Sequence, residues 1–218
     1  PTNTTATEEY DGSSWATGGT FPSANYRLAG SGNGTAALGF GGDTPPGAMS
    51  AVTAKYDGTS WTTTGNMGTA RRSLAAAGSQ TAAVTFGGDA NPPVTNATEE
   101  FNSSTNTVTA AAWSSGGALN TGRYFLAGTG SQTEGIVFGG YDGGSPTGKT
   151  EEYNGSSWTE VGDLGTARYS AGAAGTQTAT LAFGGGPGTK NESEEFNGSS
   201  WSEGDNLNTG RRSIGGTG

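Results

Sequence analysis

The sequence predicts an all-β protein, a five-bladed β-propeller whose blades are four-stranded antiparallel sheets. Three observations predict it. One nonapeptide, clearest as Thr150-Glu-Glu-Tyr-Asn-Gly-Ser-Ser-Trp158, recurs at 7–15, 53–61, 193–201 and, with an insertion, 98–113. Its tryptophans, Trp15, Trp61, Trp113, Trp158 and Trp201, stand 46, 52, 45 and 43 residues apart, a period typical of repeat proteins whose units stack on one another. Each period holds four short strand-like runs separated by turn residues, and none of the apolar spacing of a helix.

The nonapeptide reads as the third and fourth strands of a blade. Its first half ends in an aromatic residue (Tyr10, Tyr56, Phe101, Tyr153, Phe196), and its middle is Asp11-Gly12, Asp57-Gly58, Asn154-Gly155 or Asn197-Gly198, dipeptides that accept the positive φ of a tight hairpin. In the remaining copy the turn runs from Asn102 to Asn106 and Trp113 comes late, which predicts a longer loop. A polar loop after each Trp leads to a small-residue strand, such as Arg71-Arg-Ser-Leu-Ala-Ala-Ala-Gly78 or Arg123-Tyr-Phe-Leu-Ala-Gly128. These suit the innermost position, where blades crowd the axis. The most apolar strand follows and ends in a Gly doublet: Gly41-Gly42, Gly87-Gly88, Gly139-Gly140 and Gly184-Gly185. Four-stranded units of this period are propeller blades, with a β-solenoid as the alternative.

One domain is expected over 1–218, with repeats at about 24–66, 70–118, 122–163 and 167–206 and a composite blade from 1–19 and 210–218. There are five Trp strands and five Ala/Gly strands but only four Gly-Gly strands. The expected fifth blade is therefore built from both ends and short of its second strand; a stretch of a longer array is the alternative.

Composition narrows the function. The 218 residues include no Cys and no His, which removes disulfides, thiol chemistry and the commonest general base and transition-metal ligands. A net charge of −9 argues against a nucleic-acid partner. No apolar run is long enough to insert in a membrane as a helix, and the opening residues do not themselves read as a signal peptide, a processed one ahead of them being compatible with the sequence. Large apolar residues are scarce and Gly numbers 42, yet the apolar residues recur at fixed places, so each unit can bury its few against the next. Asn-x-Ser/Thr sites at Asn3, Asn33, Asn96, Asn102, Asn154, Asn191 and Asn197 follow from a composition rich in turn residues.

An apolar strand ending in Gly-Gly, an aromatic beside a turn, a Trp some six residues on and an Arg before the next unit together resemble the kelch repeat, along nearly the whole chain. The Gly/Thr/Asn-rich phrasing, with Thr-Gln-Thr-Ala and Thr-Glu-Glu-Tyr-Asn-Gly-Ser-Ser-Trp, is also similar to repeat proteins of marine bacteriophages and bacteria. The resemblance implies a propeller that is extracellular or on a virion surface. The paired Glu and the thin apolar content depart from kelch. The copper oxidase related to kelch needs His and Cys, which this chain lacks.

The pairs Glu8-Glu9, Glu99-Glu100, Glu151-Glu152 and Glu194-Glu195 occur at equivalent places, as do Arg71, Arg123, Arg168 and Arg211. Four equivalents point to a structural role for these carboxylates. One repeat has Asn25 for the Arg and Ala54-Lys55 for the Glu pair; because Arg and Glu disappear together, an intrablade Arg–Glu ion pair is expected. Arg211 should then face Glu8 or Glu9 across the ring closure. Arginines spread over blades do not gather in one pocket, so no enzyme is expected, a glycosidase-type propeller being the weaker alternative.

The loops after each Gly doublet differ in length and sequence on a repeating scaffold, as binding loops do, and should share one face with the loops between blades. There Tyr141 would stack on a sugar, while Asp43, Asp89 and Asp142 accept hydroxyl hydrogen bonds or hold Ca²⁺. The expected function is noncatalytic binding of a glycan or a cell-surface protein, with no obligatory cofactor. A structural spacer or assembly subunit is the alternative.

Overall fold

A computed structural model describes residues 4–90, 94–103 and 112–216. All regular structure among them is β. A two-stranded sheet comes first, β1 (Glu8–Tyr10) with β2 (Trp15–Thr17). The first complete blade is β3 (Ala29–Asn33), β4 (Ala36–Phe40), β7 (Thr53–Tyr56) and β8 (Trp61–Thr63), with a small hairpin β5 (Asp43–Thr44) and β6 (Ala48–Met49) in its loop. The second is β9 (Ala75–Gly78), β10 (Ala82–Phe86), β11 (Thr98–Asn102) and β12 (Ala112–Ser115). The third is β13 (Ala127–Gly130), β14 (Gly135–Phe138), β15 (Thr150–Tyr153) and β16 (Trp158–Glu160). The fourth is β17 (Gly172–Thr176), β18 (Ala179–Phe183), β19 (Ser193–Phe196) and β20 (Trp201–Glu203). Strands pair in chain order, all antiparallel, and the inner strands β3, β9, β13 and β17 are successive neighbours, so the blades form a propeller ring.

Four blades are complete, where the sequence reading expected five. The hairpin β1–β2 stands as its own sheet and does not join residues 211–216 in a fifth. The reason lies in the strand count: in every complete blade the Gly-Gly strand bonds the inner strand on one side and the third strand on the other, and among the described residues no Gly-Gly strand joins these two segments. Residues 104–111, where the longer loop was expected, lie outside the described residues.

The turn residues act alike in four hairpins. Asp11, Asp57, Asn154 and Asn197 each accept the backbone N–H groups two and three residues on, at 2.8–3.0 Å, and the Gly that follows each takes φ between 87° and 98°. Those N–H donors hold the Asp57 carboxyl below its ordinary pKa.

The core consists of interfaces between blades. Phe40, Phe86 and Phe138, each at the end of a second strand, are buried, and each meets the Trp of the next blade edge-on: Phe40–Trp113 at 5.0 Å, Phe86–Trp158 at 5.1 Å and Phe138–Trp201 at 4.8 Å between ring centroids. Such pairs add roughly 0.5–1.5 kcal/mol beyond the area they bury. The indole N–H of Trp113, Trp158 and Trp201 donates to the hydroxyl of Thr53, Thr98 and Thr150 in the preceding blade, at 3.1, 3.0 and 3.0 Å. Gln132 and Gln177 reach back from their turns to the carbonyls of Phe101 and Tyr153, at 3.1 and 2.8 Å.

The Gly doublets join blades by close backbone approach. The N–H of Gly42, Gly88, Gly140 and Gly185 donates to the carbonyl of Arg71, Arg123, Arg168 and Arg211 in the following unit, at 2.7–2.8 Å. The first Gly of each doublet takes φ of 62–72°, and at Gly87 a Cβ would stand 2.7 Å from the Arg123 carbonyl. Both the dihedral and the gap demand glycine.

Candidate functional site: the axial mouth

In three blades the arginine four residues before the inner strand organises the blade. Arg71 donates to the carbonyls of Gly87 and Ala97 at 3.1 and 2.8 Å and to Glu99 at 2.7 Å. Arg123 bonds Gly139, Lys149 and Glu151 in the same manner, and Arg168 bonds Gly184, Glu192 and Glu194. All three guanidinium groups are fully buried. Burial pushes the pKa of Arg71 and Arg123 down while Glu99 and Glu151 push it back up. Each Glu also accepts backbone N–H groups from the incoming loop: Gly68 at Glu99, Asn120 at Glu151 and Gly165 at Glu194. In the first complete blade, Asn25 keeps a single one of these bonds, to the Gly41 carbonyl at 2.8 Å, and Ala54 is buried where the Glu would be.

In these three blades only the first Glu of the pair meets the arginine. Glu100 accepts instead from the Tyr153 hydroxyl of the next blade, and Oε1 of Glu152 is buried without a partner. Arg211 is exposed, as is Glu8, and neither Glu8 nor Glu9 makes an ion pair among the described residues, contrary to the expectation that they meet across the closure. Of the two carbonyls that bury each of the other arginines, one belongs to the Gly doublet of its own blade and one to the loop before the third strand, and Arg211 meets no such doublet among the described residues.

Two residues after this arginine or asparagine the backbone enters the left-handed region: Arg27, Ser73, Phe125, Ser170 and Ser213 have φ of 53–58°. Non-glycine residues held there cost on the order of 1–3 kcal/mol each, and here a spiral of bonds holds them. The N–H of Ser73 donates to Arg27 O, Phe125 to Ser73 O, Ser170 to Phe125 O and Ser213 to Ser170 O, at 2.8–3.1 Å. All five, together with the residues that follow them (Leu28, Leu74, Leu126, Ala171, Ile214), line one cavity of about 430 Å³.

Beside this spiral the preceding residue bridges to the one after the Gly doublet: Tyr26 with Asp43, Arg72 with Asp89, Tyr124 with Tyr141 and Tyr169 with Gly186. These rungs divide into two arcs. In the charged arc, fully buried Asp43 takes Arg27 at 3.4 Å and Arg72 at 3.2 Å, and Asp89 takes Arg72 through two nitrogens at 2.7 Å. In the aromatic arc, Tyr124 lies 5.0 Å from Phe125 and 5.4 Å from Tyr141, and Tyr141 meets Tyr169 at 6.1 Å with their planes at 90°. Burial, with the nearby Tyr141, Asp89 and Asp142, raises the Tyr124 phenol above its ordinary pKa. The Tyr169 ring lies against Gly186, where a Cβ would be 2.8 Å from it.

The four loop residues read from the sequence thus have different fates. Tyr141, Asp43 and Asp89 come together at this mouth. Asp142 is exposed and accepts the N–H groups of Gly144 and Ser145 in its own turn, at 2.8 Å. A Ca²⁺ site does not fit this set, because guanidinium groups already occupy Asp43 and Asp89, and the described residues contain no group of three or more His, Cys, Asp or Glu placed to hold a metal. Of the Asp89 loop, residues 91–93 lie outside the described residues. Tyr124, Phe125, Tyr169, Arg27 and Arg72 were missed; the available signal was that the two positions after the repeated Arg vary between Tyr, Arg, Ser and Phe inside an otherwise uniform strand.

No protein-family model matches the chain, and no curated protein matches it.

Proposed function

We propose that this protein is a noncatalytic binding module, a five-unit kelch-like propeller ring whose axial mouth recognises a carbohydrate on a cell surface. The five-unit reading is supported by equivalent left-handed residues from five repeats around one cavity. The observation that carries the ligand class is the juxtaposition of the aromatic arc Tyr124–Tyr141–Tyr169 with the charged arc Arg27–Asp43–Arg72–Asp89. Flat aromatic faces take the apolar side of a sugar ring, and fixed donors and acceptors beside them read its hydroxyls. The noncatalytic reading draws on the Glu residues: Glu99, Glu151 and Glu194 are each committed to a buried arginine in their own blade, so these carboxylates do not converge. An extracellular or virion-surface location rests on the resemblance to marine phage and bacterial repeat proteins. A structural or assembly role is the second reading, favoured by the exposure of Trp15 and Tyr10.

A glycan array tests the proposal. Retention of one polysaccharide class by the wild-type protein, lost in Tyr141→Ala and Tyr169→Ala variants that unfold at an unchanged temperature, is the expected result. Silence across the array overturns the carbohydrate reading.

A further inference from the structure

At the mouth the repeats share a backbone step and differ in what it carries. The left-handed residue and the one before it read Tyr26-Arg27, Arg72-Ser73, Tyr124-Phe125 and Tyr169-Ser170 in the four complete blades. In the first of these the step holds its own cation: the Arg27 guanidinium lies over the Tyr26 ring, 5.1 Å from its centroid. In the fourth, the same backbone position, with φ of 53° against 58° for Arg27, holds Ser170. The Tyr169 ring therefore has a hydroxymethyl group beside it where Tyr26 has a guanidinium. The one other cation over a ring among the described residues is Lys55 on Phe101, at 5.4 Å and between third strands. No charged side chain of the described residues lies over Tyr124, Phe125, Tyr141 or Tyr169.

These four rings close a circuit. Tyr124 meets Phe125 at 5.0 Å and Tyr141 at 5.4 Å, and Tyr169 meets Phe125 at 6.3 Å and Tyr141 at 6.1 Å. Their planes are tilted to one another by 39° to 90°, so none of the four pairs is a parallel stack. The Tyr141 hydroxyl donates to the Gly144 carbonyl at 2.9 Å, which fixes that ring. Phe125 and Ser170 also line the axial cavity of about 430 Å³, so the circuit opens on to it. The charge around it is negative: the carboxylates of Asp89 and Asp142 both act on the Tyr124 phenol, in a chain of net charge −9. A sugar ring needs one aromatic face. Several rings in a circuit present several negative quadrupole faces to one compact positive group.

We propose that the aromatic circuit is a cation site: the carbohydrate recognised at the mouth carries an ammonium substituent, which sits against Tyr124, Tyr141 and Tyr169 as Arg27 sits against Tyr26. The inference rests on the carbohydrate reading of the mouth given above and adds the chemical class of the sugar. The ring faces attract the positive charge, and the Ser170 hydroxyl supplies an acceptor for an ammonium N–H. An acidic sugar finds no such partner, because the Arg27 and Arg72 guanidinium groups are already held by Asp43 and Asp89. A neutral sugar gains the apolar contact alone.

Two oligosaccharides with one backbone separate the ammonium from the sugar: the tetramer of β-1,4-linked glucosamine and its fully N-acetylated counterpart. Each is titrated calorimetrically into the whole chain in mildly acidic buffer, where the amines are protonated, and at high salt, which screens diffuse attraction to the acidic protein. Saturable one-to-one binding of the glucosamine tetramer, at least about tenfold tighter than the acetylated one, is expected. Tyr169→Leu should weaken it about tenfold, whereas Tyr169→Phe, which keeps the ring face, should retain it. Ser170→Arg, which rebuilds the Tyr26–Arg27 arrangement within the protein, should abolish it at an unchanged melting temperature. Tetramethylammonium chloride is the third probe, a cation without a sugar. If the acetylated tetramer binds as tightly as the other, or if binding survives both Tyr169→Leu and Ser170→Arg, the cation site falls while the carbohydrate reading stands. If tetramethylammonium binds with the same dependence on Tyr169 and neither tetramer binds, the cation site stands and the carbohydrate reading falls. If none of the three saturates the chain by about 10 mM, the cation site is overturned whatever the glycan array returns.

Discussion

Arg123 donates to Glu151 at 2.7 Å with both side chains sealed from solvent, and the same pair recurs in the blades on either side of it. A buried pair contributes little net stability against an apolar substitute, but removal of one partner strands the other charge. Arg123→Met alone, or Glu151→Leu alone, should therefore destabilise the protein by roughly 3–5 kcal/mol in urea unfolding. The double change Arg123→Asn with Glu151→Ala, which copies the first complete blade, should cost clearly less than the two single changes summed.

Glu152 tests the neighbouring position. Its second-Glu counterpart Glu100 accepts the Tyr153 hydroxyl, whereas Phe196, equivalent to Tyr153 one blade on, has no hydroxyl to give. Burial raises the pKa of Glu152 above its ordinary 4.5. The folded state therefore holds this proton more tightly than the unfolded chain, and the penalty is felt above the folded pKa and relieved as pH falls below 4.5. Glu152→Gln should be more stable than wild type at pH 7 in thermal melts, and the advantage should vanish on acidification through that window. Phe196→Tyr should stabilise at neutral pH.

Glycines with positive φ should separate by their surroundings. Gly12 has φ of 98° and nothing within 4 Å of a built Cβ, whereas Gly87 has both a positive φ and the Arg123 carbonyl at 2.7 Å. Gly12→Ala carries only the dihedral strain, on the order of 1 kcal/mol. Gly87→Ala must also push two blades apart and should cost several times more in the same unfolding measurement.

Because guanidinium groups hold Asp43 and Asp89, added Ca²⁺ or a chelator should leave the melting temperature unchanged. Asp43→Asn should lower it, since two arginines lose a buried carboxylate, while Asp142→Asn should leave it where it was.

Much of this fold was legible because its strongest signals are local and repeated. The Asp-Gly and Asn-Gly turns, the Gly doublets and the spacing of the five Trp each specify an element without knowledge of its neighbours. The Arg–Glu pair was legible for a different reason: Asn25 and Ala54 mark the one repeat where both charges are absent. What the sequence hid is what adjacency around the axis creates. The left-handed residues Arg27, Ser73, Phe125, Ser170 and Ser213 range from serine to arginine and phenylalanine and include no glycine, since the backbone spiral and not the side chain fixes their conformation. Tyr124, Tyr141 and Tyr169 meet only because rungs of two blades come together. Arg211 carries the same motif as Arg123, yet it is exposed, because among the described residues no Gly doublet packs against it.

Hydrogen exchange at the five indole N–H groups, followed by NMR, tests the central claim that one inter-blade contact, repeated, holds the ring. Trp113, Trp158 and Trp201 should be protected, Trp61, with its longer 3.4 Å bond to Thr7, less so, and Trp15 should exchange at the solvent rate. Five equally fast indoles would contradict the stacked blades, and a Trp15 as protected as Trp158 would contradict its exposure on the N-terminal hairpin.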